Sequence, residues 1–100
     1  ETFVDAARVR PPFLLRAILP GDRLEPRGRP GRRKVTTLLS ERGVPRERRH
    51  RQLVVCDRER IVWAVGLTAS RAADVDASTR WVWKLRVDPI DETVSIASES

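Results

Sequence analysis

Cysteine and histidine occur once each in this 100-residue sequence, and both absences exclude chemistry. A lone Cys56 forms no internal disulfide and leaves no cysteine cluster for a structural zinc. Its place in the apolar run Leu53-Val54-Val55-Cys56 fits a buried small hydrophobe rather than a reactive thiol. His50 has no partner constellation of Cys, Ser or a second His, so neither a catalytic triad nor a metal site is supported. Long apolar runs are missing as well. The longest, Ile61 to Leu67, is far short of the roughly 20 residues a membrane helix needs, and no charged leader followed by an apolar stretch opens the chain. The expectation is a soluble, cytoplasmic protein with no membrane partner. There is no internal repeat, no extended low-complexity segment and no phosphate-binding GxxxxGK[ST] loop: Lys34 is followed by Val35, and the glycine spacing is wrong.

What the chain has is positive charge, unevenly spread. The net charge is +6; residues 1–51 hold 14 Lys and Arg against 6 Asp and Glu, or +8, whereas residues 52–100 hold 6 against 8, or −2. The basic half is the candidate contact face. Only Lys34 and Lys84 are lysines, and the planar fork of arginine suits bidentate contact with phosphate oxygens or guanine edges. With 40% apolar residues the chain can close one modest core, which leaves little room for a separate catalytic domain.

Along the chain, Pro11-Pro12 resists helix, so residues 1–12 read as a linker or a peripheral strand and residues 13–100 as the domain. Phe13 to Ile18 suits a strand that runs into the Pro20-Gly21 turn, and Arg23-Leu24-Glu25-Pro26 can continue its sheet. Val35, Leu38 and Leu39 recur at helical spacing up to Gly43, a residue suited to the left-handed conformation after a helix end. Pro45 fits the first position of a second short helix that carries Arg46 to Arg51 and has almost no apolar face. Leu53–Cys56 and Ile61–Leu67 form a hairpin about a charged turn, and Trp81, Trp83, Leu85 and Val87 alternate along a further strand. Val94 and Ile96 either extend the sheet or lie in a frayed, Ser-rich end. These elements predict a small single α+β domain, mostly antiparallel β-sheet with two short helices on one side.

Two clusters carry the candidate chemistry, which is binding rather than catalysis. From Gly28 to Lys34 the loop holds Arg29, Arg32, Arg33 and Lys34 with no carboxylate among them, so their charges must face solvent or a polyanion. Arg23 and Arg27 flank this run, and its glycines let the backbone approach a ribose-phosphate chain. Arg46, Arg48, Arg49 and Arg51 form the second cluster, which Glu47 alone cannot offset, and Arg46, Arg48 and Arg49 are its candidate contacts. A solvated basic loop and a solubilising helix face are the plain alternatives. Asp22 suits bonding to nearby backbone amides more than orienting Arg23. Of Trp63, Trp81 and Trp83, at least two are expected in the core, because aromatics make up only 5% of the chain.

The order of these motifs resembles the C-terminal domain of tRNA(Ile)-lysidine synthetase over roughly residues 13 to 87. The resemblance is carried by Leu19-Pro20-Gly21-Asp22-Arg23, Pro26, Gly28, Gly31, Lys34, the Val44-Pro45-Arg46 turn with Arg48-Arg49, Ile61-Val62-Trp63, Gly66-Leu67 and Thr79. Family members are ATP-dependent ligases that attach lysine to the wobble cytidine of an isoleucine tRNA. Their adenylation loop, of SGGxDS type, has no counterpart here. The resemblance therefore implies a non-catalytic piece of a larger enzyme, with ATP and Mg belonging to a missing N-terminal catalytic domain and no cofactor in this piece. It also implies a partner, the acceptor stem of isoleucine tRNA, gripped so as to orient the anticodon loop toward the distant active site. Two places depart from the family pattern. Arg51-Gln52-Leu53-Val54 lacks a proline common before the strand, and Thr68-Ala69-Ser70 replaces an arginine-containing segment, a change that moves or removes one cationic contact, so Thr68 to Val75 are assigned no RNA role. Two other readings compete: a basic protein-interaction domain that meets an acidic partner, and a general nucleic-acid module that does not discriminate tRNA from other duplexes.

Overall fold

The structure is a computed structural model that describes the backbone of residues 1–90 and 93–99 and the side chains through Asp88. Its strands are β1 (Thr2–Asp5), β2 (Leu14–Ala17), β3 (Arg23–Leu24), β4 (Arg33–Lys34), β5 (Leu53–Cys56), β6 (Ile61–Ala64), β7 (Thr68–Ala69), β8 (Val82–Ile90) and β9 (Thr93–Glu99). One α-helix, α1 (Val35–Glu41), follows β4 directly, and a 3₁₀ helix spans Arg46–Arg51. All pairings are antiparallel, in a four-stranded sheet of order β2-β5-β6-β7, a three-stranded sheet of order β1-β8-β9 and a ribbon of β3 with β4. This is the expected α+β class.

The four-stranded sheet is the middle layer, and that position explains its composition. Val54 and Cys56 pack with Leu24, Val35, Leu38 and Leu39 on one face. Val55, Val62 and Trp63 pack with Val4, Val9 and Leu85 on the other. A sheet covered on both faces needs apolar residues at successive positions, which is why Val54 to Cys56 and Ile61 to Ala64 read as unbroken runs instead of an alternation. The hairpin between β5 and β6 is closed by Asp57, whose carboxylate accepts the backbone N–H groups of Glu59 and Arg60 at 2.8 and 2.9 Å and that of Arg10 at 2.8 Å.

The first residues form a strand at the edge of a sheet, with Val4 opposite Trp83 and no exposure of the Val4 side chain. Arg23 and Leu24 do not continue the sheet of β2. They pair with Lys34 and Arg33 in a separate ribbon, because the chain turns at Leu19–Asp22 and the Leu24 side chain is needed against α1. The Ser-rich end pairs with β8, Ile96 opposite Val87 and Val94 opposite Pro89.

Helix α1 ends as the sequence predicts. Gly43 has φ 78°, its N–H reaches the Ser40 carbonyl at 3.0 Å, and the Val44 N–H reaches the Leu39 carbonyl at 3.0 Å. This paired closure needs a left-handed residue, where glycine alone escapes a Cβ penalty. The next segment is a 3₁₀ helix, not α, and starts at Arg46, one residue later than expected, with the Pro45 carbonyl accepting from Arg48 at 2.9 Å. Without an apolar stripe it has no face to bury, and a tight 3₁₀ turn satisfies its backbone on the surface.

Candidate nucleic-acid interface

The ribbon sets the geometry of the basic loop. Strands β3 and β4 place Arg23 opposite Lys34 and Leu24 opposite Arg33, and the chain between them turns through Gly28 and Gly31, both left-handed with φ 78° and 76°. Leu24 is buried beside α1, so the ribbon is anchored by its apolar side and presents Arg23 and Lys34 outward. Helix α1 has 7 residues, about 10 Å of helix at the usual rise. That helix separates the ribbon from the second cluster: Lys34 precedes its first residue, and Arg46 and Arg48 follow its closing turn.

The candidate arginines differ in availability. Arg23, Arg32, Lys34, Arg46 and Arg48 are exposed, and among the described residues none of them is ion-paired. Arg33 is half-buried, with its Nε enclosed and unpartnered. Arg49 bends inward and donates Nε to the Val44 carbonyl at 3.0 Å. The expectation that the charges from Gly28 to Lys34 must face solvent or a polyanion is corrected at Arg29, and Arg27 beside that run is paired as well. The loop contains no carboxylate, but two arrive from elsewhere: Asp74 meets the Arg27 Nε at 2.5 Å, and Glu41 in the last turn of α1 meets Arg29 Nη1 at 2.5 Å. The hydrogen bond from Arg29 holds the Glu41 carboxyl below its ordinary value, and the Arg29 guanidinium is raised in turn. Between loop and helix lies an open groove of about 230 Å³, lined by Arg27, Arg29, Glu41 and Arg42 beside Leu38 and Leu67.

Asp22 has the structural role expected of it. Its carboxylate accepts the Leu19 N–H at 2.8 Å, and its carbonyl accepts the Val35 N–H at 2.9 Å. Trp63 is buried, and Trp83 packs its ring edge-on against Phe13 at 5.7 Å. Trp81, in contrast, precedes β8 and is 70% exposed, so the apolar alternation of that strand begins at Trp83. Cys56 is buried, and burial pushes its thiol up.

Sequence reasoning missed the segment from Thr68 to Asp74, set aside because it lacked the family's pattern. Thr68, Arg71 and Asp74 all bond to the basic loop. The available signal was Arg71, the one cation between Arg60 and Arg80.

Three layers with an arginine-rich ribbon on one flank define a small α+β domain built to present a cationic surface. The family model described as the TilS substrate C-terminal domain matches residues 14–87. The chain belongs to that family. It is 34% identical over 80 residues to the tRNA(Ile)-lysidine synthase of Symbiobacterium thermophilum, a match that covers 80% of this chain and 17% of that protein. It is 29% identical over 87 residues to the enzyme of the same name from Geobacter sulfurreducens, covering 87% of this chain and 18% of that one. A solved structure described as the crystal structure of the TILS C-terminal domain superposes with a TM-score of 0.67 at 32% identity, over 80% of this chain and 63% of the other. The chain thus spans less than a fifth of the length of the curated relatives it matches.

Proposed function

We propose that this domain is the tRNA acceptor-stem-binding module of a cytoplasmic tRNA(Ile)-lysidine synthase, with isoleucine tRNA and the catalytic domain of the same enzyme as its partners. The observation that carries the reading is the pair of basic clusters on either side of α1. Arg23 and Lys34 project from a ribbon with a buried anchor and Arg32 from the loop just before its second strand, and Arg46 and Arg48 project from the turn beyond the helix, all without a carboxylate partner among the described residues. Cations held this way have no internal counter-charge and favour a polyanion that displaces their counterions. A-form RNA offers phosphates, shape and 2′-hydroxyls more readily than base edges, so the domain reads shape. Lysine transfer, with its ATP and Mg, belongs to the catalytic domain of such an enzyme; the residues of this domain grip and orient the tRNA.

The test is a titration of this chain against isoleucine tRNA and a minihelix of its acceptor stem, with an equal-length DNA duplex as competitor at near-physiological salt. The expected result is comparable binding to tRNA and minihelix that resists the DNA. Arg32→Ala with Arg33→Ala should weaken binding and flatten its dependence on salt. Equal competition by DNA would leave only a general nucleic-acid module, and a folded chain that binds none of the three would point to a protein partner.

A further inference from the structure

The basic loop is held from beneath by a segment that carries no free charge of its own. The Arg71 N–H donates to the Glu25 carbonyl at 2.7 Å, and its side chain reaches back under the loop. There Nη1 donates to the Pro26 carbonyl at 3.2 Å and also to the Arg29 carbonyl, while Nη2 lies 3.5 Å from the Glu25 carboxylate. One guanidinium thus spans both sides of the left-handed Gly28. Around it, Ser70 bridges to Pro26, Thr68 Oγ1 accepts the Arg27 N–H at 3.3 Å, and Asp74 takes the Arg27 side chain. Ser70 is 1% exposed and its hydroxyl accepts the Ala72 N–H, so the short 3₁₀ turn Arg71–Ala73 that carries this clasp is itself fixed to the core through Ala73.

A loop with two left-handed glycines and two prolines has many conformations when free, and ordering it on contact with a ligand would cost affinity. Two carbonyl bonds from one rigid fork remove that freedom in advance. We propose that Arg71 is a positioning residue for nucleic-acid binding: it fixes the carbonyls of Pro26 and Arg29 so that Arg32 and Lys34 meet phosphates already in register. This rests on the reading of the loop as an RNA contact. Arg71 itself spends its guanidinium on the protein and touches no phosphate.

The distinction between positioning and contact is measurable. Each cation that neutralises a phosphate contributes to the slope of log K against log salt, whereas a residue that only orders the loop changes K at every salt and leaves the slope alone. Arg71→Ala should weaken minihelix binding by about three- to tenfold, as expected for a segment that must now be ordered on binding, with an unchanged slope. Arg71→Lys, which can reach one carbonyl but not both, should recover part of the loss. Thr68→Val, which removes the acceptor for the Arg27 N–H together with a local hydroxyl bond to the Ala69 carbonyl, should act in the same direction and guards against Arg71→Ala failing to fold. A companion measurement needs no RNA: tryptic cleavage after Arg27 should be several-fold faster in Arg71→Ala at a temperature well below unfolding. Wild-type affinity in all three variants would overturn the proposal, and a slope reduced by about one in Arg71→Ala would make Arg71 a direct contact instead. If the wild-type chain binds no minihelix, the RNA reading fails while the cleavage rate still reports whether Arg71 holds the loop.

Discussion

Arg16 and Asp22 form a two-pronged ion pair across the Leu19–Gly21 turn, with Nη1 and Nη2 at 2.7 and 3.1 Å from the two carboxylate oxygens. The partner of Asp22 is thus the arginine six residues before it, not its neighbour Arg23. The same aspartate bonds the Leu19 N–H through its side chain and the Val35 N–H through its carbonyl. A single residue therefore ties the end of β2 to the start of α1, and Arg23 is left free to face outward.

Removing that tie should cost stability and leave charge readout alone. Asp22→Ala strands the partly buried Arg16 and the Leu19 N–H, a loss of about 2 kcal/mol, or about 10 °C in Tm for a domain of this size. Thermal unfolding of the variant checks the first part. The salt dependence of RNA binding checks the second and should match wild type.

Acid should find the same residue. The Arg16 guanidinium holds the Asp22 carboxyl below its ordinary value; burial pushes Asp57 up, but the N–H groups of Glu59, Arg10 and Arg60 outweigh it and bring that carboxyl down too. Both folded values lie below the unfolded one near 3.9, so the unfolded chain takes up protons first as pH falls. Their stabilisation is complete above about pH 5 and is lost progressively below about pH 4. Tm should be flat in this respect from pH 7 to 5 and fall steeply toward pH 3. Asp57→Asn should shallow that fall, and an acid limb as steep as wild type would count against Asp57.

The three tryptophans should separate cleanly by substitution. Trp63 is 6% exposed and Trp83 is half-buried against Phe13, whereas Trp81 is 70% exposed. Trp63→Ala and Trp83→Ala should each cost about 3–5 kcal/mol in urea unfolding, enough to unfold a domain of ordinary stability. Trp81→Ala should stay within about 0.5 kcal/mol of wild type. A folded Trp83→Ala that lost only RNA affinity would make Trp83 a stacking residue rather than core.

Glu41 competes with phosphate for Arg29. Glu41→Gln should free that guanidinium, tighten minihelix binding and steepen its salt slope by somewhat under one unit, with unfolding barely changed because both groups are exposed. An unchanged slope would show that Arg29 never reaches the nucleic acid.

Local signals made most of the fold legible. The helix from Val35 to its stop at Gly43, the hairpin of β5 with β6 and the strand at Phe13–Ile18 all rest on periodicity and turn chemistry within a few residues. What stayed hidden was long-range. Nothing near Arg29 announces Glu41, and nothing near Arg27 announces Asp74, since those pairs close over 12 and 47 residues. The ribbon of β3 and β4 was hidden for the same reason, because a two-residue strand has no period to read. Trp81 misled because alternation continues on paper past the point where the strand begins at Val82. The basic loop itself was plain in the sequence; which of its arginines are already occupied was not.

The buried thiol has a use beyond packing. Cys56 lies in the middle sheet at 9% exposure, and burial pushes it away from the reactive thiolate form. A thiol reagent can therefore modify this chain only while the strand that carries Cys56 is open, and with a single cysteine every adduct records that one event. The rate of labelling, followed with and without nucleic acid, is a built-in clock for how often the central layer opens beneath α1 and the ribbon.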